Sequence, residues 1–126
     1  MHLSVLERVL ERVTQLHREA WQQHDNYERC LTEAVSLCQA EYARGERSPL
    51  FMNNYAAVLM DLHRDDEALG LLQFHKPDFS EHCANLAIAT AKAAYDLEGI
   101  RKWNGLASLL PRRKGANVAY MDWQAL

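Results

Sequence analysis

Residues 33–40 read EAVSLCQA, and residues 67–74, which lie 34 positions later, read EALGLLQF. The two stretches share Glu, Ala, Leu and Gln at four of eight positions, and their alignment needs no gap. A fixed period in this range is typical of repeat architectures, in which each repeat buries its apolar face against its neighbours. A Glu-Ala pair followed by apolar residues is typical of a helix. The chain is therefore predicted to be a repeat protein built from helices.

Composition favours one small all-α domain. The chain has 126 residues, of which 48% are apolar and 25% are charged, with only five Gly and three Pro to interrupt helices. With a net charge of −3, the chain has no excess of basic residues of the kind that binds nucleic acid or an anionic membrane. No apolar run reaches the roughly 20 residues that span a bilayer. Together with the absence of a secretory signal pattern, this predicts a cytoplasmic protein whose three cysteines are reduced, small core residues.

Local signals predict the helix boundaries. Asp25 and Glu28 match a capping box, Gly45 suits a helix end, Pro49 suits a first turn, and Ser80 is a candidate cap. Leu86, Ile88 and Tyr95 are the expected apolar residues of the fifth helix, and Pro111 is expected to end the sixth. The predicted helices and the last segment cover residues 3–22, 25–43, 49–63, 65–76, 80–95, 97–111 and 116–126.

Large and small apolar residues recur in a set order in the middle of the chain. One set is Met52, Tyr55, Ala56, Leu59, Ala68 and Leu72, and the next is Leu86, Ala87, Gly99, Trp103, Leu106 and Pro111. This order resembles the tetratricopeptide (TPR) repeat family, whose period is 34 residues. The resemblance implies antiparallel helix pairs stacked as a short TPR-like solenoid. It divides the chain into a helix pair at 1–48, repeats at 49–79 and 80–113, and a tail or capping helix at 114–126. A plain helical bundle remains the alternative.

In TPR proteins the first helix of each pair lines a concave groove. Carried onto this sequence, the contact positions are Leu50, Asn53, Ala57, Met60 and Asp61, then Glu81, Ala84, Ile88, Ala91 and Lys92. Lys92 is the only cation of this set, so the positions do not favour a carboxylate clamp. The groove is instead expected to be apolar and to receive an amphipathic helix of a protein partner. An acid at Met60 or Ala57 should then weaken binding without affecting stability. In the alternative interpretation, these residues are buried against the first helix or the C-terminal tail.

Enzymatic and metal-binding patterns are weak. The sequence has no Gly-rich phosphate loop, no HExxH and no CxxC. His17 and His24 are two helical turns apart, roughly 10 Å, which is too far to share one ion, and the neighbours His82 and Cys83 project in different directions. We therefore expect no catalytic residue, no metal and no cofactor.

Several functions agree with a small TPR-like module. Its length and mild acidity resemble the TPR chaperones of type III secretion, which hold needle or export subunits. A toxin-immunity protein or an assembly adaptor is an alternative, and a small helical-bundle enzyme or ligand-binding protein is another. The sequence leaves the partner and homo-oligomerisation open.

Overall fold

The structure is a computed structural model that describes residues 4–120, apart from the side chain of His24. Leu3, Met121 and Trp123, which belong to predicted helical segments, lie outside this range. Within it the chain forms helices and no strand, which confirms the all-α class. The elements are α1 (Val5–Gln22), a 3₁₀ turn (His24–Asn26), α2 (Tyr27–Ala43), α3 (Pro49–Asp61), α4 (Asp65–Leu72), α5 (Ser80–Ala93) and α6 (Leu97–Ala107).

Local chemistry explains several helix ends. The Ser4 hydroxyl caps α1 by accepting a hydrogen bond of 3.1 Å from the Glu7 N–H. Pro49 occupies the first turn of α3, where its missing N–H costs nothing. Gly45 follows α2 with φ +101°, a left-handed conformation that glycine adopts without steric cost.

Two predicted caps are wrong. Asp25 does not begin a capping box, because residues 24–26 form a 3₁₀ turn and Asn26 precedes α2. Ser80 is the first residue of α5 rather than its cap. Its hydroxyl instead donates a 2.6 Å hydrogen bond to the Ala107 carbonyl at the end of α6. A tertiary contact thus replaces the local cap.

Three predicted helices are too long. Helix α4 ends at Leu72, and α6 ends at Ala107, four residues before Pro111. Helix α5 ends at Ala93, and Tyr95 lies beyond it with φ +50° and 81% of its surface exposed. Periodicity locates a helix better than it locates its last turn, since the final carbonyls can be satisfied by several different turns.

Each helix packs against the next one along the chain, and α3 also contacts α1 and α5. Residues 51–61 of α3 are all buried, so this helix forms the centre of the molecule. Helices α3 and α5 run in the same direction. The Asn85 amide lies 2.8 Å from the Asn53 amide oxygen, and toward the C-terminal ends of both helices Lys92 Nζ lies 3.0 Å from the Met60 carbonyl.

The core contains three of the four small residues of the repeat pattern, whereas Gly99 is only partly buried. Ala34, Ala56, Ala68 and Ala87 are buried, as are Leu59 and Leu72 beside them. Cys30, Cys38 and Cys83 are free and buried, which agrees with their prediction as core residues. Burial, with a smaller effect of nearby Glu41, raises the pKa of Cys38 to about 12, so this thiol is not a nucleophile at neutral pH. Trp103, a large residue of the repeat pattern, is partly buried and packs against the core.

Helix α4 offers a matched pair of substitutions. Ala68 is fully buried, so Ala68→Trp should overpack the core and lower the free energy of unfolding by about 1–3 kcal/mol or more. Gly70 lies two residues away and has open space where a methyl group would be added, so Gly70→Ala should raise it by about 0.5–1 kcal/mol. Urea denaturation measures both changes. If Ala68→Trp has no effect, the register of α4 against α3 is wrong.

Candidate functional site

A C-terminal segment, residues 115–120, lies across the inner face of α3 and α5. It follows the exposed residues 111–114 and is not helical. Its first contact is at Asn54 and its last is at Asp61. Seven residues of α3 rise about 10 Å, and six residues of extended chain span roughly 15–20 Å. The segment therefore runs in the same direction as α3, with an extended rather than a helical backbone.

Three buried asparagines of α3 and α5 lie beneath this segment. Asn85 of α5 donates to the amide oxygen of Asn53 at 2.8 Å, and Asn53 donates to the amide oxygen of Asn54 at 3.0 Å. The network runs between two helices and has a consistent donor direction. Because unpaired amides are costly inside a protein, the remaining donors and acceptors must also find partners.

The remaining partners come from the main chain of the C-terminal segment. Asn54 donates to the Gly115 carbonyl and accepts from the Asn117 N–H, at 2.9 and 2.8 Å. The Asn117 carbonyl accepts from the other two amides at 2.8 and 2.9 Å. Asn85 accepts from the Ala119 N–H at 3.0 Å. The asparagines thus bind alternating main-chain groups, which every polypeptide carries except for the missing N–H of proline.

Asp61 holds the far end of the segment. Its fully buried carboxylate accepts from the Tyr120 N–H at 3.0 and 3.1 Å and lies 2.5 Å from Nε2 of buried His17. The Tyr27 hydroxyl donates to the main-chain carbonyl of Asp61 at 2.6 Å. Helices α1, α2 and α3 therefore meet the segment at this residue.

Side chains of the segment make a second set of contacts. The Asn117 amide donates to the Thr14 hydroxyl of α1 at 3.0 Å. Ala119 is almost fully buried. The Tyr120 ring packs edge-on against His17, with centroids 4.8 Å apart, and at a tilt against Trp21 at 5.6 Å. An amide, a small residue and an aromatic ring thus each have a distinct environment.

The predicted contact positions lie on or beside this face, but most of them are not open to solvent. Asn53, Ala57, Met60, Asp61 and Ile88 are buried, while Leu50, Glu81, Ala84, Ala91 and Lys92 are partly buried. The expectation of an open, apolar groove at the first group is corrected, because all five residues are buried, as the alternative interpretation has it. Partner binding at these positions stays a prediction.

Other members of the site are absent from the predicted set. The predicted contact positions include neither Asn54 nor Asn85, and neither His17 nor Thr14; the C-terminal tail enters only in the alternative interpretation. Asn53, Asn54 and Asp61 within an otherwise apolar helix were the available signal, because polar residues that a helix buries need partners.

An open cleft adjoins the start of the segment. Its volume is about 700 Å³, and it lies between α1 and the residues Leu50, Lys114 and Gly115. The α1 side includes Leu10, Glu11 and Thr14. The segment therefore enters the inner face beside unfilled space.

The candidate metal ligands have other contacts. His17 pairs with Asp61, and Nε2 of His82 lies 2.7 Å from the Leu72 carbonyl. Among the residues that the structure describes, no three His, Cys, Asp or Glu side chains are grouped to hold a metal ion. None of the helices in that part of the chain has the length and apolar composition needed to cross a membrane.

His82 should make stability depend on pH. Burial lowers its pKa, against the opposing effect of its hydrogen bond to Leu72. Below the unfolded value of about 6.5, the unfolded chain then binds more protons than the folded chain, so the free energy of unfolding falls as pH falls. The slope from this group is at most about 1.4 kcal/mol per pH unit. The free energy of unfolding, measured by urea denaturation between about pH 7.5 and 5, should change less steeply with pH in His82→Gln than in the exposed-site control His63→Asn. Equal slopes would contradict this assignment.

Comparison of the chain with protein-family models, with curated proteins and with solved structures finds no match.

Proposed function

We propose that this chain is a non-enzymatic protein-binding module, a short TPR-like solenoid whose inner face holds a polypeptide in an extended conformation. The observation that carries the proposal is the set of buried asparagine amides on α3 and α5 that bind main-chain N–H and C=O groups of residues 115–120. The parallel course of α3 and α5 and the buried alanines of the repeat pattern support the solenoid arrangement.

The same amides favour an extended partner over the amphipathic helix expected from sequence. In a helix, interior N–H and C=O groups are already bonded to each other. Such a partner would leave the Nδ2 group of Asn54 and the Oδ1 atom of Asn85 without partners in a buried site, which is unfavourable. An extended chain has both kinds of group unpaired and alternating, as these amides require.

The buried state of the polar groups supports a binding role over catalysis. His17 and Asp61 are the closest approach to an acid–base pair, yet they are 1% and 0% exposed and bonded to each other. A general base must reach the proton it removes, directly or through a water molecule. Type III secretion chaperone, immunity protein and assembly adaptor are all special cases of this binding function.

A nicked chain tests the proposal. A specific protease site inserted between Arg113 and Lys114 lies in an exposed stretch where an insertion is tolerated. After cleavage, the peptide of residues 114–126 should remain bound at high protein concentration and dissociate on dilution. A fluorescently labelled peptide of the same residues should then bind the emptied protein, and fluorescence anisotropy measures this binding. Asn85→Ala should weaken rebinding by about tenfold, equivalent to about 1.4 kcal/mol, because it removes a buried donor and acceptor.

A surface amide provides the control. Asn104 is exposed on α6, and Asn104→Ala should leave rebinding unchanged. If the cleaved chain unfolds as one unit and the peptide never rebinds, residues 115–120 are an inseparable part of the core. The proposal is then wrong.

A further inference from the structure

We propose that residues 115–120 are an intramolecular competitor, and that the inner face binds a segment of another protein with the pattern amide, apolar residue, small residue, aromatic residue. This inference rests on the proposed function and names its partner class. The pattern corresponds to Asn117, Val118, Ala119 and Tyr120 of this chain. The partner displaces the resident segment rather than adding to it, because both need the same amides.

Contacts of the side chains define the pattern. The first position needs a hydrogen-bond donor for the Thr14 hydroxyl, which Asn117 supplies at 3.0 Å. The third position must be small, since Ala119 is 1% exposed and a larger side chain there meets the packed interior. The fourth position packs an aromatic ring against His17 and Trp21. The asparagines bind only main-chain groups and do not distinguish one side chain from another. These three side-chain contacts therefore supply the sequence selectivity.

Most residues of the resident segment are only partly buried or exposed, which favours its dissociation. Ala119 is its one buried residue, whereas residues 116–118 are partly buried and Tyr120 is 43% exposed. Residues 111–114, which tether it to α6, are exposed throughout. The apolar contacts of the segment come from Val118, Ala119 and Tyr120. Another chain of the same pattern can re-form these contacts and the hydrogen bonds.

The entrance to the face also suits a foreign chain. The cleft of about 700 Å³ lies where Lys114 and Gly115 meet Leu50 and α1. A partner does not continue from α6 as the resident segment does, so its preceding residues need a different path. The cleft provides that space without movement of a helix.

Competition in the intact protein tests the inference. The probe is the fluorescent peptide of residues 114–126, added to the full chain and to two variants. Ala119→Glu in the full chain should expel the resident segment, because a carboxylate cannot be buried at that position without a partner. Inserting about 20 Gly and Ser residues between Arg113 and Lys114 should lower the effective concentration of the tether. We expect the probe to bind at least about tenfold more tightly to Ala119→Glu than to the unmodified chain, and severalfold more tightly to the insertion variant.

Variant peptides test the pattern separately from the proposed function. Probes with Asn117→Ala, Ala119→Glu or Tyr120→Ala should bind the insertion variant at least about fivefold more weakly, while the exposed-position control Lys114→Ala should bind equally. If all probes bind alike, the pattern is wrong although main-chain binding stands. If none binds even the nicked chain, the proposed function fails as well.

Two further results would overturn the competitor role. The first is equal probe affinity for the unmodified chain and the insertion variant, a comparison that remains valid even if Ala119→Glu does not fold. The second is a concentration-dependent dimer of the unmodified chain that the probe dissociates, which would make a second copy the occupant. Analytical ultracentrifugation with and without the probe distinguishes a monomer from that dimer.

Discussion

Replacing Asp61 by Ala should lower the free energy of unfolding by roughly 3–5 kcal/mol, the largest effect that we expect from a single polar residue. The carboxylate is fully buried, lies 2.5 Å from His17 and accepts from the Tyr120 N–H. Its removal leaves both groups buried without an acceptor. Urea denaturation followed by helical circular dichroism measures the loss.

Two other substitutions separate this effect from a general loss of acidic charge. Asp66 lies exposed in the first turn of α4, and Asp66→Ala should cost less than about 1 kcal/mol. Asp61→Asn keeps an oxygen that can accept from the Tyr120 N–H, so it should cost less than Asp61→Ala. Equal stability of Asp61→Ala and Asp66→Ala would show that the buried junction does not form.

Met60→Glu should destabilise the fold by about 3 kcal/mol or more. Met60 is fully buried within α3, and burying a carboxylate without a counter-ion is among the few single changes with so large an effect. Met60→Leu conserves volume and should cost less than about 1.5 kcal/mol, which makes it the matched control. Thermal and urea denaturation of the two variants give the comparison.

The open groove predicted from sequence leads to the opposite result for Met60→Glu. If Met60 faced solvent in the free protein, a glutamate there would weaken partner binding and leave the melting temperature unchanged. A stable, fully helical Met60→Glu chain would therefore show that Met60 is not buried in solution.

The sequence was most informative where short-range physics decides the outcome. The spacing of apolar residues predicts all six α-helices, and Pro49 and Gly45 mark ends that the structure shares. Ala34 and Ala68, the small residues of the 34-residue repeat, are both buried. These features depend on neighbours within a few turns, so one sequence is enough to read them. The predictions for Ser80 and for the last turns of α4 and α6 are wrong at places where tertiary contacts form, since Ser80 donates to the Ala107 carbonyl and His82 lies against the Leu72 carbonyl. The prediction for Asp25 is wrong because a local 3₁₀ turn precedes α2.

The sequence left two occupants of the inner face open, a partner helix or the chain's own first helix and C-terminal tail, and the tertiary structure decided between them. Asn54 meets Gly115 across 61 residues of sequence, and Asp61 meets Tyr120 across 59. Their bonds go to main-chain N–H and C=O groups, which nearly every residue carries, so the partner segment has no periodic signature. The sequence by itself determined a chain of six helices, with Asn53, Asn54 and Asp61 as polar exceptions in an apolar third helix. Only the fold could show that those amides hold the C-terminal segment, because a main-chain hydrogen bond is specified by position and not by residue type.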